Sequence, residues 1–239
     1  MFALNNPPPM PPGQTDQVAW DDAYKNGWIV DASVPLTQID YKYTETITPP
    51  CDNTNTYTFP LAMRACPLTL NGPPGSAPDS KATWWSNCFS TKAANWHKRA
   101  WVQGHLLNHH IHGPGVPKNL VPITDELNRI MEKWAEKVIK DEVLKKKLIL
   151  DYRVTVLWLA GSKVGSYHPV GSGQRHADDI CKNLDNHKKG ECMAPTALKW
   201  EAEVIAWDAG NNAWKQQAVV NFKGYEGIEN GIFPNSWFG

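Results

Sequence analysis

The chain lacks several features that would define its class at once. It has no apolar run of the roughly eighteen residues that a membrane-spanning helix needs, and its first residues lack the basic and apolar regions of a signal peptide. Its 239 residues carry 24 basic and 24 acidic side chains, so the formal net charge is zero. This balance argues against a protein that coats nucleic acid over its whole surface.

The five cysteines form no C-x-x-C pair, which argues against a zinc ribbon. Cys51 and Cys66, and likewise Cys181 and Cys192, are spaced like the ends of short disulfide-closed loops, with Cys88 left over. Free buried thiols are the alternative interpretation.

The chain divides into a proline-rich start and one domain. Residues 1–16 are predicted to form an extended or disordered tail or linker, and residues 17–239 a single domain of the α+β class. Alternating β-branched and aromatic residues predict strands, and Gly-Asn-Asn between two of them predicts a β-hairpin. The predicted strands are 38–48, 57–65, 148–159 and the hairpin pair 197–208 and 213–222.

The stretch from Trp101 to Lys140 is the most informative, because it holds four of the eight histidines and the longest helix signal. Two short strands are predicted at 100–107 and 119–123, and a helix follows, with Thr124 or Asp125 at its start. We expect this helix to pack on an antiparallel sheet. Its apolar residues recur at helical spacing, at Leu127, Ile130, Met131, Trp134 and Val138.

Three polar residues of this helix, Asn128, Glu132 and Glu136, recur every four positions and form one stripe. Regular helical geometry places Asn128 beside the apolar stripe and Glu136 furthest from it. The glutamates alone fit a surface helix with acidic and basic sides. His105 favours a functional interpretation of the stripe instead, because it ends the preceding strand and an imidazole titrates near neutral pH.

This segment resembles the DNA/RNA non-specific endonucleases of the ββα-metal, or His-Me finger, fold. In that family a Gly-His pair ends one strand, an Asn-x-x-Pro segment follows, and a helix carries an asparagine with a glutamate eight residues later. The matching positions are Gly104-His105, Asn119 to Pro122, Asn128 and Glu136. The run from Gly104 to Thr124 is similar to the version in bacterial toxin nucleases, and weaker upstream blocks match at 63–65 and 75–78.

The resemblance implies a ββα-metal core over residues 100–147 and an Mg²⁺-dependent endonuclease, with Mn²⁺ as another possible ion. It implies His105 as the general base that takes a proton from water, and Asn128 as the ligand of the ion. Glu136 would hold a metal-bound water, a task that Glu132 can share.

One position departs from the family pattern. The family usually has Asp-Arg-Gly-His, whereas this chain has Gln103 before Gly104-His105, and glutamine donates hydrogen bonds without carrying charge. Another cation is therefore expected to contact the phosphate, and Arg64, Lys98, Arg99 and Arg153 are the candidates. Three further residues are candidates for substrate contact, namely Asn108, His110 and Asn119, although the two asparagines can instead brace the loop.

Two other functions stay open. The domain can be a scaffold that binds nucleic acid or protein without cutting, because Gln103 lacks the arginine charge. It can also be a zinc-dependent hydrolase built on His105, His109, His110 and His112, since imidazole suits Zn²⁺ or Ni²⁺.

The nuclease interpretation brings partners with it. DNA and RNA are both possible substrates, because chemistry at the phosphate ignores base identity. The resemblance to toxins implies a cognate immunity protein and delivery by a secretion system into a target cell, where the enzyme would act in the cytoplasm.

Overall fold

The computed structural model describes residues 7–41, 43–47, 54–78, 101–158, 195–222 and 232–234. This part of the chain is a mixed α+β fold with an antiparallel sheet and few helices, so the predicted class is confirmed. No helix within these ranges is long and apolar enough to cross a membrane.

The strands in these ranges are β1 (Ile39–Asp40), β2 (Thr44–Ile47), β3 (Tyr57–Pro60), β4 (Ala62–Leu68), β5 (Trp101–His105), β6 (Leu120–Thr124), β7 (Leu150–Trp158), β8 (Pro195–Asp208), β9 (Ala213–Val219) and β10 (Ile232–Pro234). The main sheet has the order β1-β4-β7-β8-β10, and β9 pairs with the C-terminal half of β8. The pairs β2–β3 and β5–β6 form two separate two-stranded sheets. All of these pairings are antiparallel.

The strands predicted over 38–48 and 57–65 are each divided between two sheets. β1 pairs with β4 through Ile39 and Ala65, whereas β2 pairs with β3 through Thr44 and Pro60. The chain passes from one sheet to the other at Leu61, between β3 and β4. The Leu61 amide donates a hydrogen bond to the Tyr43 carbonyl oxygen at 2.7 Å. The predicted hairpin of β8 and β9 is confirmed, with a turn between Asp208 and Ala213.

The predicted order of strand, loop, strand and helix is confirmed between Trp101 and Lys145. β5 and β6 pair with His105 opposite Leu120, and every residue of β6 is buried. A helix, α2, begins directly after β6. Thr124 caps it, because its side-chain oxygen accepts a hydrogen bond from the amide of Leu127 at 3.2 Å.

Helix α2 changes its winding along its length. Its α-helical segments are Asp125–Met131 and Lys137–Lys140, and its π-helical segments are Glu132–Glu136 and Asp141–Lys145. Its buried side chains are Leu127, Met131, Ala135, Glu136, Ile139 and Val143. The apolar ones share one core with the main sheet, including Met63, Tyr152 and Trp200, so the helix packs on the sheet as expected.

Residues 7–16, part of the proline-rich start predicted as an extended or disordered tail or linker, make contacts with the rest of the domain. The Trp20 indole donates to the Pro8 carbonyl at 3.0 Å, and the buried Gln14 side chain accepts from the amide of Leu36. Gly13 has a φ of +82° and lies so close to Trp214 that a Cβ atom would meet its indole at 2.5 Å. Helix α1 (Gln17–Lys25) follows, with Asp16 accepting from Ala19 at its start.

The predicted disulfide between Cys51 and Cys66 is wrong, because Cys66 has a free thiol. Cys66 lies within β4, where its amide donates to the Gln38 carbonyl, and sequence spacing alone does not encode which cysteines meet. The remaining cysteines, Cys51, Cys88, Cys181 and Cys192, lie outside the described residues.

Candidate active site

His105 lies at the end of β5 and is 8% exposed. Its Nε2 atom lies 3.0 Å from the carbonyl oxygen of Ser76. A carbonyl oxygen can only accept, so Nε2 carries the proton and the lone pair is on Nδ1. Burial lowers the pKa of the imidazole, the Ser76 carbonyl acts in the opposite direction, and His109 lowers it further. The ring is therefore held neutral with Nδ1 available as a base.

A strap formed by residues 73–78 holds this geometry. The amide of Ser76 donates to the Gly113 carbonyl at 3.1 Å, and the Ser76 hydroxyl accepts from the amide of Gly115 at 2.7 Å. Glycine is needed where the backbones meet. A Cβ atom on Gly75 would lie 2.1 Å from the His109 carbonyl oxygen, and one on Gly113 would lie 1.6 Å from that of Leu107. The strap therefore orients the His105 ring through backbone contacts.

Asn119 is fully buried and braces the loop between β5 and β6. Its side-chain oxygen accepts from the amide of Leu107 at 3.0 Å, and its side-chain nitrogen donates to the carbonyls of Leu107 at 3.0 Å and Pro114 at 2.9 Å. Because the whole amide is used inside the protein, Asn119 does not face a substrate. Of its two predicted roles, bracing is the one that the contacts support.

Asn108 ties the same loop to α2. Its side-chain nitrogen donates a hydrogen bond to the Glu136 carboxylate, and its side-chain oxygen accepts from the amide of His110 at 2.9 Å. Asn108 is itself 8% exposed. Asn108 therefore links the loop after β5 to helix α2. Both the oxygen and the nitrogen of its side-chain amide already have partners within the protein.

The expectation that Glu136 lies furthest from the buried face of α2 is wrong, since Glu136 is 5% exposed and Glu132 is exposed. The cause is the π-helical segment Glu132–Glu136, in which the amide of Lys137 bonds to the carbonyl of Glu132 five residues earlier. The wider turn advances the chain by a smaller angle per residue than a regular helix does. Glu136 is thereby rotated back towards the core and Asn108.

Burial raises the pKa of Glu136 to about 7. Lys140 and the Asn108 hydrogen bond lower it, and Glu132 raises it. Glu136 in turn raises the pKa of Tyr152, whose own burial is the larger cause. The carboxyl of Glu136 therefore changes its charge close to neutral pH.

This pKa predicts how stability depends on pH. The pKa of Glu136 in the folded protein, about 7, lies above its ordinary value of 4.5. The stabilisation that protonated Glu136 gives the folded protein is therefore complete below pH 4.5 and is lost as the pH rises through 7. We expect Glu136→Gln, which can still accept from Asn108, to gain up to about 3 kcal/mol in free energy of unfolding relative to wild type over this interval. Urea denaturation at several pH values measures this difference. Glu126→Gln, on the exposed surface of α2, is the control and should follow wild type; parallel curves for Glu136→Gln would contradict the prediction.

Asn128 lies half-buried on the first segment of α2, which packs against β5. Its side chain forms no hydrogen bond with another residue in the described ranges, so its amide oxygen can bind a ligand. Glu132 is exposed one turn further along. An amide oxygen, a carboxylate and water form a donor set that suits Mg²⁺.

The four histidines that the structure describes, His105, His109, His110 and His112, do not converge on a transition-metal site. No group of three histidine, cysteine, aspartate or glutamate side chains arranged to hold a metal occurs within the residues that the structure describes. The rings of His105 and His109 lie 5.8 Å apart, and those of His109 and His110 lie 3.9 Å apart. Both nitrogens of His112 lie against carbonyl oxygens, those of Pro73 at 2.9 Å and Thr69 at 3.0 Å. The zinc-hydrolase alternative therefore has no support from these residues.

Of the four predicted cations, the structure describes Arg64 and Arg153, which lie on the main sheet and not in the β5–β6 pair that carries His105. Arg64 makes two hydrogen bonds to Asp151, at 2.9 and 2.6 Å, and strand alternation turns it away from the core side of β4. Arg153 is exposed and pairs with Arg64 in the register of the sheet. Lys98 and Arg99 lie outside the described residues. Gln103, two residues before His105, has a buried side-chain oxygen without a hydrogen-bond partner in the described structure.

Two residues of the site were missed by the sequence reasoning. Ser76 orients the His105 ring through its backbone carbonyl, and a backbone contact cannot be predicted from the residue type. The only signal in the sequence is the weak upstream match at 75–78. Lys140 lies one turn beyond Glu136 and lowers the pKa of both Glu136 and His109. Helical spacing from Glu136 was the signal that could have found it.

No family model matches the chain, and no curated protein is significantly similar to it. The functional interpretation therefore depends on the sequence motif and on the geometry around His105.

Proposed function

We propose that this protein is a metal-dependent endonuclease that hydrolyses phosphodiester bonds of DNA, RNA or both. The observation that carries the proposal is the hydrogen bond between Nε2 of His105 and the Ser76 carbonyl, 3.0 Å long. It fixes the tautomer whose free Nδ1 can take a proton from an attacking water. Burial supports the same role, because a lowered pKa keeps the imidazole unprotonated at neutral pH.

The arrangement of elements also supports the proposal. The antiparallel pair β5–β6 leads directly into α2, and His105, Asn128 and Glu136 match the sequence positions of the ββα-metal nuclease motif. A ββα-metal core over residues 100–147 is part of this proposal, and so are the assigned roles of these residues.

Asn128 and Glu132 would hold Mg²⁺, or Mn²⁺ in its place, with water completing the coordination. When bound, the ion would offset the phosphate charge and stabilise the departing 3′-oxygen. The protein residues perform the remaining work. His105 accepts the proton of the attacking water, Glu136 orients water beside Asn128, and Gln103 and the exposed His110 donate hydrogen bonds to phosphate oxygens.

The test is the conversion of supercoiled plasmid, and of a structured RNA, in the presence of Mg²⁺. We expect cleavage by the wild-type protein, its loss in EDTA, and its recovery when Mg²⁺ is restored. Asn128→Ala should need a higher Mg²⁺ concentration and cut at least tenfold more slowly, whereas Asn128→Asp, which keeps an oxygen ligand, should retain more activity. The exposed Asn211→Ala is the control and should cut like wild type. Cleavage that continues unchanged in EDTA would refute the metal-dependent mechanism.

A binding module that does not cut is the second candidate, and Gln103 favours it because this side chain carries no charge beside His105. Tight binding of nucleic acid without cleavage under any divalent cation would support this candidate over the nuclease. A toxin role, delivery by a secretion system and an immunity protein that covers the His105 cleft belong to the nuclease proposal, and the motif similar to that of toxin nucleases is their support.

A further inference from the structure

The strap brings the Ser76 carbonyl to His105, so whatever fixes the strap also fixes the orientation of that ring. The side chain of His112, in the loop between β5 and β6, contacts the strap at its first residue, Pro73. We propose that His112 is a positioning residue, whose ring holds the strap so that the Ser76 carbonyl orients His105. The consequence for cleavage rests on the proposed nuclease function, whereas the orientation of His105 can be measured without it.

The half-buried imidazole of His112 lies between two carbonyl oxygens. Its Nδ1 atom lies 2.9 Å from that of Pro73, and its Nε2 atom lies 3.0 Å from that of Thr69. A neutral ring has one N–H group and donates to one of these oxygens at a time, whereas an imidazolium ring donates to both. In either form a hydrogen bond joins His112 to the segment from Thr69 to Pro73.

This segment is a firm anchor for the ring. Thr69 is 1% exposed, and its hydroxyl donates to the carbonyl oxygen of Pro35 at 2.7 Å. The amide of Gly72 donates to the carbonyl of Trp28 at 3.2 Å. A Cβ atom on Gly72 would lie 2.9 Å from the His112 ring, so the ring packs directly against this backbone.

The strap can carry this restraint from its first residue to Ser76. It begins with Pro73-Pro74, and each proline fixes its φ at about −65°. Ser76 itself is held by the Gly113 carbonyl at 3.1 Å and the Gly115 amide at 2.7 Å. Contacts at Ser76 alone would leave the strap free to pivot about that residue and to turn its carbonyl. The contact at Pro73, on the other side of the two prolines, prevents this pivot.

The backbone of His112 determines which substitutions test the ring alone. His112 has a φ of +75°, a left-handed conformation that glycine adopts without strain and asparagine tolerates. His112→Gly therefore removes the ring and keeps the turn. His112→Asn keeps the turn and a shorter donor that can reach one of the two carbonyls.

The test observes the tautomer of His105 and the cleavage reaction separately. Proton–nitrogen correlation NMR spectra, recorded where imidazoles are neutral, show which ring nitrogen carries the proton, and His105→Ala identifies the His105 signals. We expect the Nε2–H form in wild type and a mixture of both tautomers in His112→Gly. In plasmid cleavage, kcat of His112→Gly should fall about tenfold while KM changes by less than about twofold, because the ring orients the base and does not contact substrate. His112→Asn should lie between the two.

Asn212→Gly is the matched control, because Asn212 also has a positive φ, 49°, at the exposed turn between β8 and β9. It should match wild type in tautomer and in kcat. Gly72→Ala pushes the His112 ring from the other side and should act like His112→Gly.

A wild-type tautomer or an unchanged kcat in His112→Gly would overturn the inference. If that variant does not fold, a wild-type tautomer in Gly72→Ala would overturn it instead. If wild type cuts nothing with any divalent cation, the proposed function is overturned, and the spectra still decide whether His112 positions His105.

Discussion

Replacement of His105 by alanine is expected to lower the rate of plasmid cleavage by roughly a thousandfold, the size of effect typical of a lost general base. The variant removes Nδ1, the nitrogen that the Ser76 hydrogen bond leaves free. Single-turnover cleavage in saturating Mg²⁺ measures the change at the chemical step. His110→Ala removes an exposed imidazole from the same loop and should lower the rate by no more than about tenfold, as expected for a binding contact.

The pH dependence gives a second readout of the same residue. The active form is the neutral imidazole, whose fraction rises with pH, so kcat/KM should fall on the acid side as His105 becomes protonated. Because burial lowers the pKa of His105 from 6.5, the acid limb should lie below pH 6.5. An acid limb above that value, or equal losses in His105→Ala and His110→Ala, would assign the base to another group.

Replacement of Asn119 by alanine is expected to lower the free energy of unfolding by about 3 kcal/mol. The substitution leaves the Leu107 amide and the carbonyls of Leu107 and Pro114 without their partner in a buried place, and each such loss typically costs about 1 kcal/mol or more. Urea denaturation followed by tryptophan fluorescence measures the change.

Two further variants sharpen this test. Asn119→Asp keeps the acceptor for the Leu107 amide but loses both donors, so its stability should fall as well. Cleavage should fall in Asn119→Ala and in Asn119→Asp, because the loop that Asn119 braces positions His105. Asn211→Ala removes a single exposed hydrogen bond, from the Asn211 side chain to Asp208, so it should lower stability far less than Asn119→Ala and leave cleavage unchanged. A stable Asn119→Ala protein that loses only affinity for nucleic acid would instead indicate a substrate contact.

The sequence predicted the elements that local signals define. Alternation and the turn residues predicted the β8–β9 hairpin, and Thr124 and Asp125 before an apolar repeat predicted the start of α2, where the structure shows Thr124 as the cap. The order of β5, β6 and α2 followed from the same local patterns. These features depend on neighbours in the chain, which a single sequence displays.

Other features depend on contacts that residue types do not display. The burial of Glu136 follows from a π-helical turn, and apolar spacing fits a regular helix equally well. The orientation of His105 comes from a backbone carbonyl of Ser76, and the free thiol of Cys66 shows that spacing does not define a disulfide. The catalytic and metal-binding roles of His105, Asn128 and Glu136 remain predictions for the experiments above.

The π-helical turn decides where α2 can change its length. Lys133 is exposed inside this turn and its ammonium group lies 4.7 Å from the centre of the Trp134 ring, so substituting it removes that contact and leaves the core in place. Deleting it would turn the five-residue hydrogen bond from Lys137 to Glu132 into a regular four-residue one, so Ile139 and Val143 would keep their places in the core. A deletion elsewhere in α2 would rotate every later side chain by about 100° and displace these two residues. Natural variation in the length of this helix is therefore expected inside the π-helical turn.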